Sequence, residues 1–273
     1  RSASHRGSGS VCGKHVVFPL ASLMPSLPIY LRQSRWVQIL AAPVRSIRRR
    51  TSRRERARQY VTWDRLAEIL SEDPVITVPE FEGEFQMDVR SHLFQRLILD
   101  ESYESHLVQL CKRYVPTNRD MIDVGANAGL FSVLLATLAP TQRILAIEPS
   151  MAMLARLRSN LIRNGAEAQV TVFEGALAET EGTAQLQGID GLEEYGTLGT
   201  LSHPALQNQT STRSETVKTT SLDTLVAKHD LSPGFIKVDV EGAEARVLQG
   251  AQQTLERHRA RCSCPWLYDC RCK

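Results

Sequence analysis

Ile122-Asp123-Val124-Gly125-Ala126-Asn127-Ala128-Gly129-Leu130-Phe131-Ser132 is the stretch on which the fold of this 273-residue chain turns. Met121 to Val124 reads as a short buried strand and Leu130 to Leu138 as a helix, with two glycines in the turn between them. That is the opening unit of a doubly wound α/β sheet, in which ligands bind beyond the carboxyl ends of the strands where strand order reverses. Gly125 permits the tight turn, and Gly129 lets the start of the helix pack closely. The next strand, Arg143 to Ile147, runs into Glu148, 19 residues after Gly129. A carboxylate at that point can accept both hydrogen bonds of a ribose diol. Together these features point to an adenosine-containing cofactor.

Position 127 separates the candidates. A dinucleotide site uses glycine there so that the backbone can approach the pyrophosphate. Here it is Asn127, and Asp123 adds a carboxylate that would repel a pyrophosphate and suit a cationic amino-acid group. S-adenosylmethionine (SAM) carries such a group; NAD is the alternative.

Working outward, strands and helices alternate, which means a mostly parallel sheet covered on both faces. Met151 to Asn164 is a helix stopped by Gly165, and Val170 to Phe173 a strand. Val217 to Thr220 is a strand, Leu222 to Lys228 a helix capped by Ser221, Phe235 to Val240 a strand, and Ala243 to Arg257 a helix. Before this domain (residues 115–258), residues 61–114 form a lead-in. It holds a helix over Val61 to Leu70, a hairpin turning at Phe81-Glu82-Gly83, and a helical stretch from Ser91 to Tyr114 broken near Asp100. Thr183 to Glu215, polar and rich in Gly, Ser, Thr and Gln, reads as a long loop of the kind that covers active sites.

The second chemical signal is Lys237-Val238-Asp239-Val240-Glu241-Gly242-Ala243-Glu244, at another strand end. Strand alternation puts Lys237, Asp239 and Glu241 on one face. Three charges at the edge of a buried strand are costly unless they are paired or used. Lys237 and Asp239 neutralising one another is the plain alternative to a functional role.

With these residues in place the sequence resembles the FkbM-type SAM-dependent methyltransferases. The likeness rests on the 122–132 string, Ile147-Glu148-Pro149, Leu157 with Asn160, Asn164, Ser221-Leu222-Asp223-Thr224-Leu225, the 236–244 string and Val247-Leu248-Gln249-Gly250-Ala251. Tyr103-Glu104 fits the lead-in. The resemblance implies a Rossmann-like class I methyltransferase fold and methyl transfer to a hydroxyl of a small-molecule or sugar acceptor. It assigns Asp123, Gly125, Asn127 and Gly129 to the methionine end of SAM and Glu148 to the ribose. Glu174 to Ala176 fall to the adenine, and Asp239 and Glu241 to the edge where the acceptor meets the methyl group. Either acid could serve as general base; a divalent metal on Asp239, Glu241 and Glu244 is the rival within the same chemistry, and no metal is assigned.

Both ends depart from this frame. Residues 1–60 hold 13 Arg and Lys against a single acid, Glu55, so the rest of the chain is acidic although the net charge is +3. This basic, irregular arm lacks the aromatic platform of a nucleic-acid module. Its Arg- and Ser-rich composition, free of acids to residue 54, is that of a plastid or mitochondrial targeting segment; without such a role a cytoplasmic protein is expected. Pro19, Pro25 and Pro28 interrupt the longest apolar stretch, so no transmembrane segment is expected. At the other end, 259–273 reads as an aberrant cysteine-rich tail where the family's sheet continues, with Cys264 to Asp269 a remnant of the next strand. The sheet is therefore expected to be truncated at that edge, and a catalytically inactive cofactor-binding remnant is the alternative to an enzyme. Nothing indicates the oligomeric state.

Overall fold

Alternation along the strands builds the core. The computed structural model describes residues 63–70, 72–100, 102–189, 196, 198 and 212–263; the basic arm and Cys264 to Asp269 lie outside them. Five strands form one parallel sheet: β3 (Asp120–Val124), β4 (Ile144–Glu148), β5 (Val170–Glu174), β9 (Pro233–Val238) and β10 (Arg261–Ser263), in the spatial order β10-β9-β3-β4-β5. Order reverses between β3 and β9, next to the glycine turn, as expected of the doubly wound class. Successive residues of β4 face opposite sides. Ile144 and Ala146 join one hydrophobic cluster, whereas Leu145 and Ile147 join another.

On the first face lie helices 63–69, His92–Asp100, Ser105–Tyr114, Leu130–Leu138 and Met151–Arg163; on the second lie Leu222–Lys228, Glu244–Gln249 and Gln252–His258. The Leu130–Leu138 helix is buried almost all round, as a helix sandwiched between a sheet and further helices must be. Ser221 caps its helix as expected, its Oγ accepting from the Thr224 N–H at 3.1 Å. The lead-in packs into the first-face core rather than standing apart. Its hairpin strands β1 (Val75–Val78) and β2 (Gly83–Gln86) flank Phe81, whose ring meets Phe131 edge-on at 5.0 Å. Phe81, Phe85 and Phe94 are fully buried, each contributing about 1.5–3 kcal/mol by leaving water.

Four expectations need correction. The stretch read as a loop from Thr183 to Glu215 begins and ends in strands β7 (Gly182–Ile189) and β8 (Thr212–Thr220), which pair antiparallel; β8 also pairs with the short β6 (Ala176–Leu177). Polar composition concealed them because they form a separate three-stranded sheet with exposed side chains along β8. The expected helix from Ala243 to Arg257 is two. Its chain breaks at Gly250, where a Cβ would stand 2.2 Å from the Ala178 carbonyl oxygen and where the Gly250 carbonyl accepts from the Asp223 N–H. The strand expected to reach Val240 ends at Val238, and Glu241 turns away in the left-handed region at φ 51°. Arg261–Ser263, read from sequence as tail, pairs in parallel with β9.

Candidate active site

The ends of β3, β4 and β9 and the start of the β6 segment open into one cleft. Gly125, Asn127, Glu148, Ala176, Asp239 and Glu241 line it together. The remaining three residues marked by sequence lie elsewhere. Gly129 is the N-cap of the Leu130–Leu138 helix, where a Cβ would stand 2.9 Å from a Leu157 methyl. Glu174 is half-exposed and ion-paired with Arg158. Asp123 is fully buried beneath the cleft, because strand alternation turns it into the first-face core.

What holds Asp123 there is Lys237. The two residues are in register on neighbouring strands, so their side chains emerge side by side. The buried ammonium sits 3.1 Å from Asp123 Oδ1, donates to the Gly125 carbonyl at 2.7 Å, and is 3.9 Å from Asp239 Oδ2. Its main counter-charge is thus Asp123, and Asp239 is the more distant partner. Burial pulls the Lys237 pKa down, but Asp123 and Asp239 outweigh it and the net shift is upward. Ser132 Oγ donates to the other Asp123 oxygen at 2.6 Å. This cluster sits under the Gly125 turn and ties the β3 loop to the β9 edge. Nearby Cys111 is buried, and desolvation with the Asp123 charge pushes its thiol up to about 12, leaving it a packing group.

Glu148 is held open-handed. Oε2 accepts from the Asn127 N–H and Oε1 from the Ser150 N–H, both at 2.8 Å. Each oxygen keeps acceptor capacity for a further donor on the cleft side, as a vicinal diol requires. Burial raises its pKa to about 7, against the lowering effect of the two backbone donors. Asn127 itself adopts φ 51°, and its Oδ1 accepts from the Ala128 N–H.

Across the cleft, Asp239 and Glu241 are half-buried. Burial is the main cause that raises both; Asp123 and Glu244 add to it at Asp239 against the pull of Lys237, and Asp239 and Glu244 add to it at Glu241, which reaches about 7. Among the described residues, no three His, Cys, Asp or Glu side chains converge as metal ligands. Sequence reading missed several walls of the cleft. His92 and Tyr103 come from the lead-in, and Leu186 and Leu198 from the 183–215 stretch. Tyr103 lies under the Arg96 guanidinium, 4.8 Å from its ring centre.

A family model described as the methyltransferase FkbM domain matches residues 123–263, from Asp123 to the end of β10. AMB antimetabolite synthetase AmbE of Pseudomonas aeruginosa is 37% identical over 90 residues, 33% of this chain and 4% of that protein. Methyltransferase sdnD of Sordaria araneosa is 27% identical over 186 residues, 60% of this chain and 71% of its own. The chain therefore spans only a small part of the synthetase. A solved structure of a methyltransferase FkbM from Methylobacillus flagellatus is 21% identical, covers 54% of this chain and 32% of its own, and has a TM-score of 0.39. None of the described helices is long and apolar enough to cross a membrane. The matched segment holds the glycine turn, the Glu148 strand end and the Asp239 edge, and by that match the chain belongs to the FkbM methyltransferase family.

Proposed function

We propose that the chain binds SAM and transfers its methyl group to a hydroxyl of a small molecule or sugar. One observation carries this: Glu148, suited to a ribose diol, and the Asp239–Glu241 edge face each other across one cleft floored by the Gly125–Asn127 turn. The acids fit the group. Oxygens of Glu148 retain acceptor capacity, and the Asp239 carboxylate complements a cationic amino-acid moiety. SAM would supply a methyl carbon already activated by its sulfonium. The chain's own tasks are to align the acceptor and to take up its proton. Glu241, with a pKa of about 7, suits a general base at neutral pH.

Titration with S-adenosylhomocysteine (SAH) and with NAD tests the cofactor, and tighter binding of NAD would overturn the reading. SAH affinity should rise with pH up to about 7 and level off above it. The sign follows from Glu148, since only the ionised carboxylate accepts from both ribose hydroxyls and its pKa is about 7. Glu148→Gln should remove this dependence and weaken SAH by about 1–3 kcal/mol, one diol donor being left without an acceptor.

For catalysis, kcat/KM for a hydroxyl acceptor should fall as pH drops through about 7, where Glu241 takes up a proton. Glu241→Gln should cost about 10²–10⁴-fold in rate. Asp239→Asn removes a neighbouring negative charge that raises Glu241, so any activity it retains should show its rising limb at lower pH. A pH profile unchanged in Glu241→Gln would assign the base elsewhere.

A further inference from the structure

Two asparagines one helical turn apart, Asn160 on the Met151–Arg163 helix and its C-cap Asn164, meet the open edge of β2. Asn164 Nδ2 donates to the Glu84 carbonyl at 2.8 Å, and its Oδ1 accepts from the Glu84 N–H at 2.9 Å. Asn160 repeats the pairing at Gln86, Oδ1 accepting from the N–H at 2.8 Å and Nδ2 donating to the carbonyl at 3.3 Å. A primary amide offers a donor and an acceptor side by side, as a strand backbone does. The two side chains therefore stand in for a neighbouring strand, which β2 lacks on this edge among the described residues. They satisfy backbone groups that would otherwise need water.

Asn160 does one thing more. Its Nδ2 also donates to the Ala128 carbonyl at 2.8 Å, inside the cofactor turn. The same peptide unit is fixed at its other end, where the Gly129 N–H donates to the Ala126 carbonyl at 2.9 Å. On either side of it Asn127 and Gly129 have φ 51° and 91°, a conformation L-residues rarely adopt without support. Two peptide units upstream, the Asn127 N–H is the one that grips Glu148. The Asn160 side chain is wholly buried and lines no part of the cleft.

From this juxtaposition we propose that Asn160 is a positioning residue: it ties the Ala128 carbonyl to the β1–β2 hairpin and so keeps the 125–129 turn, and through it Glu148, in cofactor-binding geometry. The hairpin becomes a working part of the cofactor site, joined to its turn through this amide. The effect on SAH rests on the proposed cofactor; the effect on the turn does not.

The comparison is between Asn160→Ser and Asn160→Asp, which shorten the amide or remove its donors, and Asn164→Leu, which loosens the hairpin without touching the turn. Amide hydrogen exchange of the ligand-free chain at Asn127 and Gly129 should be about tenfold faster in the Asn160 variants and within about twofold of wild type in Asn164→Leu. SAH should bind about tenfold more weakly to the Asn160 variants, and KM for SAM should rise with kcat largely retained. A wild-type chain that does not bind SAH would sink the cofactor reading and leave the exchange comparison standing. Equal changes in turn exchange at positions 160 and 164, or none at 160, would overturn the positioning role. So would failure of both Asn160 variants to fold while Asn164→Leu folds, since Asn160 would then serve the fold as a whole.

Discussion

Lys237→Met should lower the unfolding free energy by about 3–5 kcal/mol, because it leaves a fully buried carboxylate without its counter-charge. Asp123 is wholly inaccessible, and the ammonium 3.1 Å away is its cationic partner. The same substitution strips the donor from the Gly125 carbonyl, so SAH binding should weaken along with stability. Urea unfolding of the variant measures the first effect. Pairing Lys237→Met with Asp123→Leu identifies its origin: replacing both members of a buried ion pair with apolar groups costs far less than removing one. Recovery of part of the loss in the double variant is expected. A double variant as unstable as the sum of the two single ones would mean that packing around Lys237, and not charge, holds the β3–β9 seam.

Gly125→Ala should be nearly as disruptive and should act more directly on the cleft. A Cβ at this position would stand 1.9 Å from the Asp239 carbonyl oxygen, and φ is 76°. The left-handed backbone alone costs about 1–2 kcal/mol for a residue with a side chain. The clash adds more, since only movement of β9's end or of the turn relieves it. Either movement separates Asp239 and Glu241 from the Asn127–Glu148 side, so SAH affinity should fall by at least about tenfold, with a lower melting temperature. Gly165→Ala is the control. It too has positive φ, 66°, but its Cβ would meet nothing within 4 Å. It should show the backbone cost alone and leave SAH affinity unchanged. Similar SAH affinities in the two variants would mean that the close approach at Gly125 does not govern the site.

Local signals made the frame legible in advance. Short apolar runs marked β3, β4 and β5, glycine spacing marked the turn, and Ser221 marked a helix start, because each depends on neighbours a few residues away. Glu148 was found for the same reason, standing at a strand end a fixed distance beyond the turn. Composition misled where the local signal was weak. The strands between Gly182 and Thr220 are polar and exposed along much of their length, and nothing short-range separates them from a loop. The break at Gly250 was hidden because its cause, the Ala178 carbonyl, lies some seventy residues earlier in the chain.

For the candidate site the division runs along sequence distance. Residues that meet the cleft from a strand end, Gly125, Asn127, Glu148, Asp239 and Glu241, could be named from the sequence because a parallel sheet places its strand ends together; Ala176 followed from the family resemblance. Which charge pairs with which could not. Asp123 and Lys237 are 114 positions apart and become neighbours only through the register of β3 with β9; the sequence alone suggested Asp239 as the partner of Lys237. Nor could it show that Asn160 joins a hairpin 74 residues upstream to a turn 32 residues upstream. By itself the sequence determined the order of the elements, the glycine turn and the acids around it, since these follow from periodicity and short spacing. Tertiary structure alone decided the Asp123–Lys237 pairing, the cleft walls from the lead-in and the hairpin clamp, because those contacts exist only once distant segments pack and exclude water.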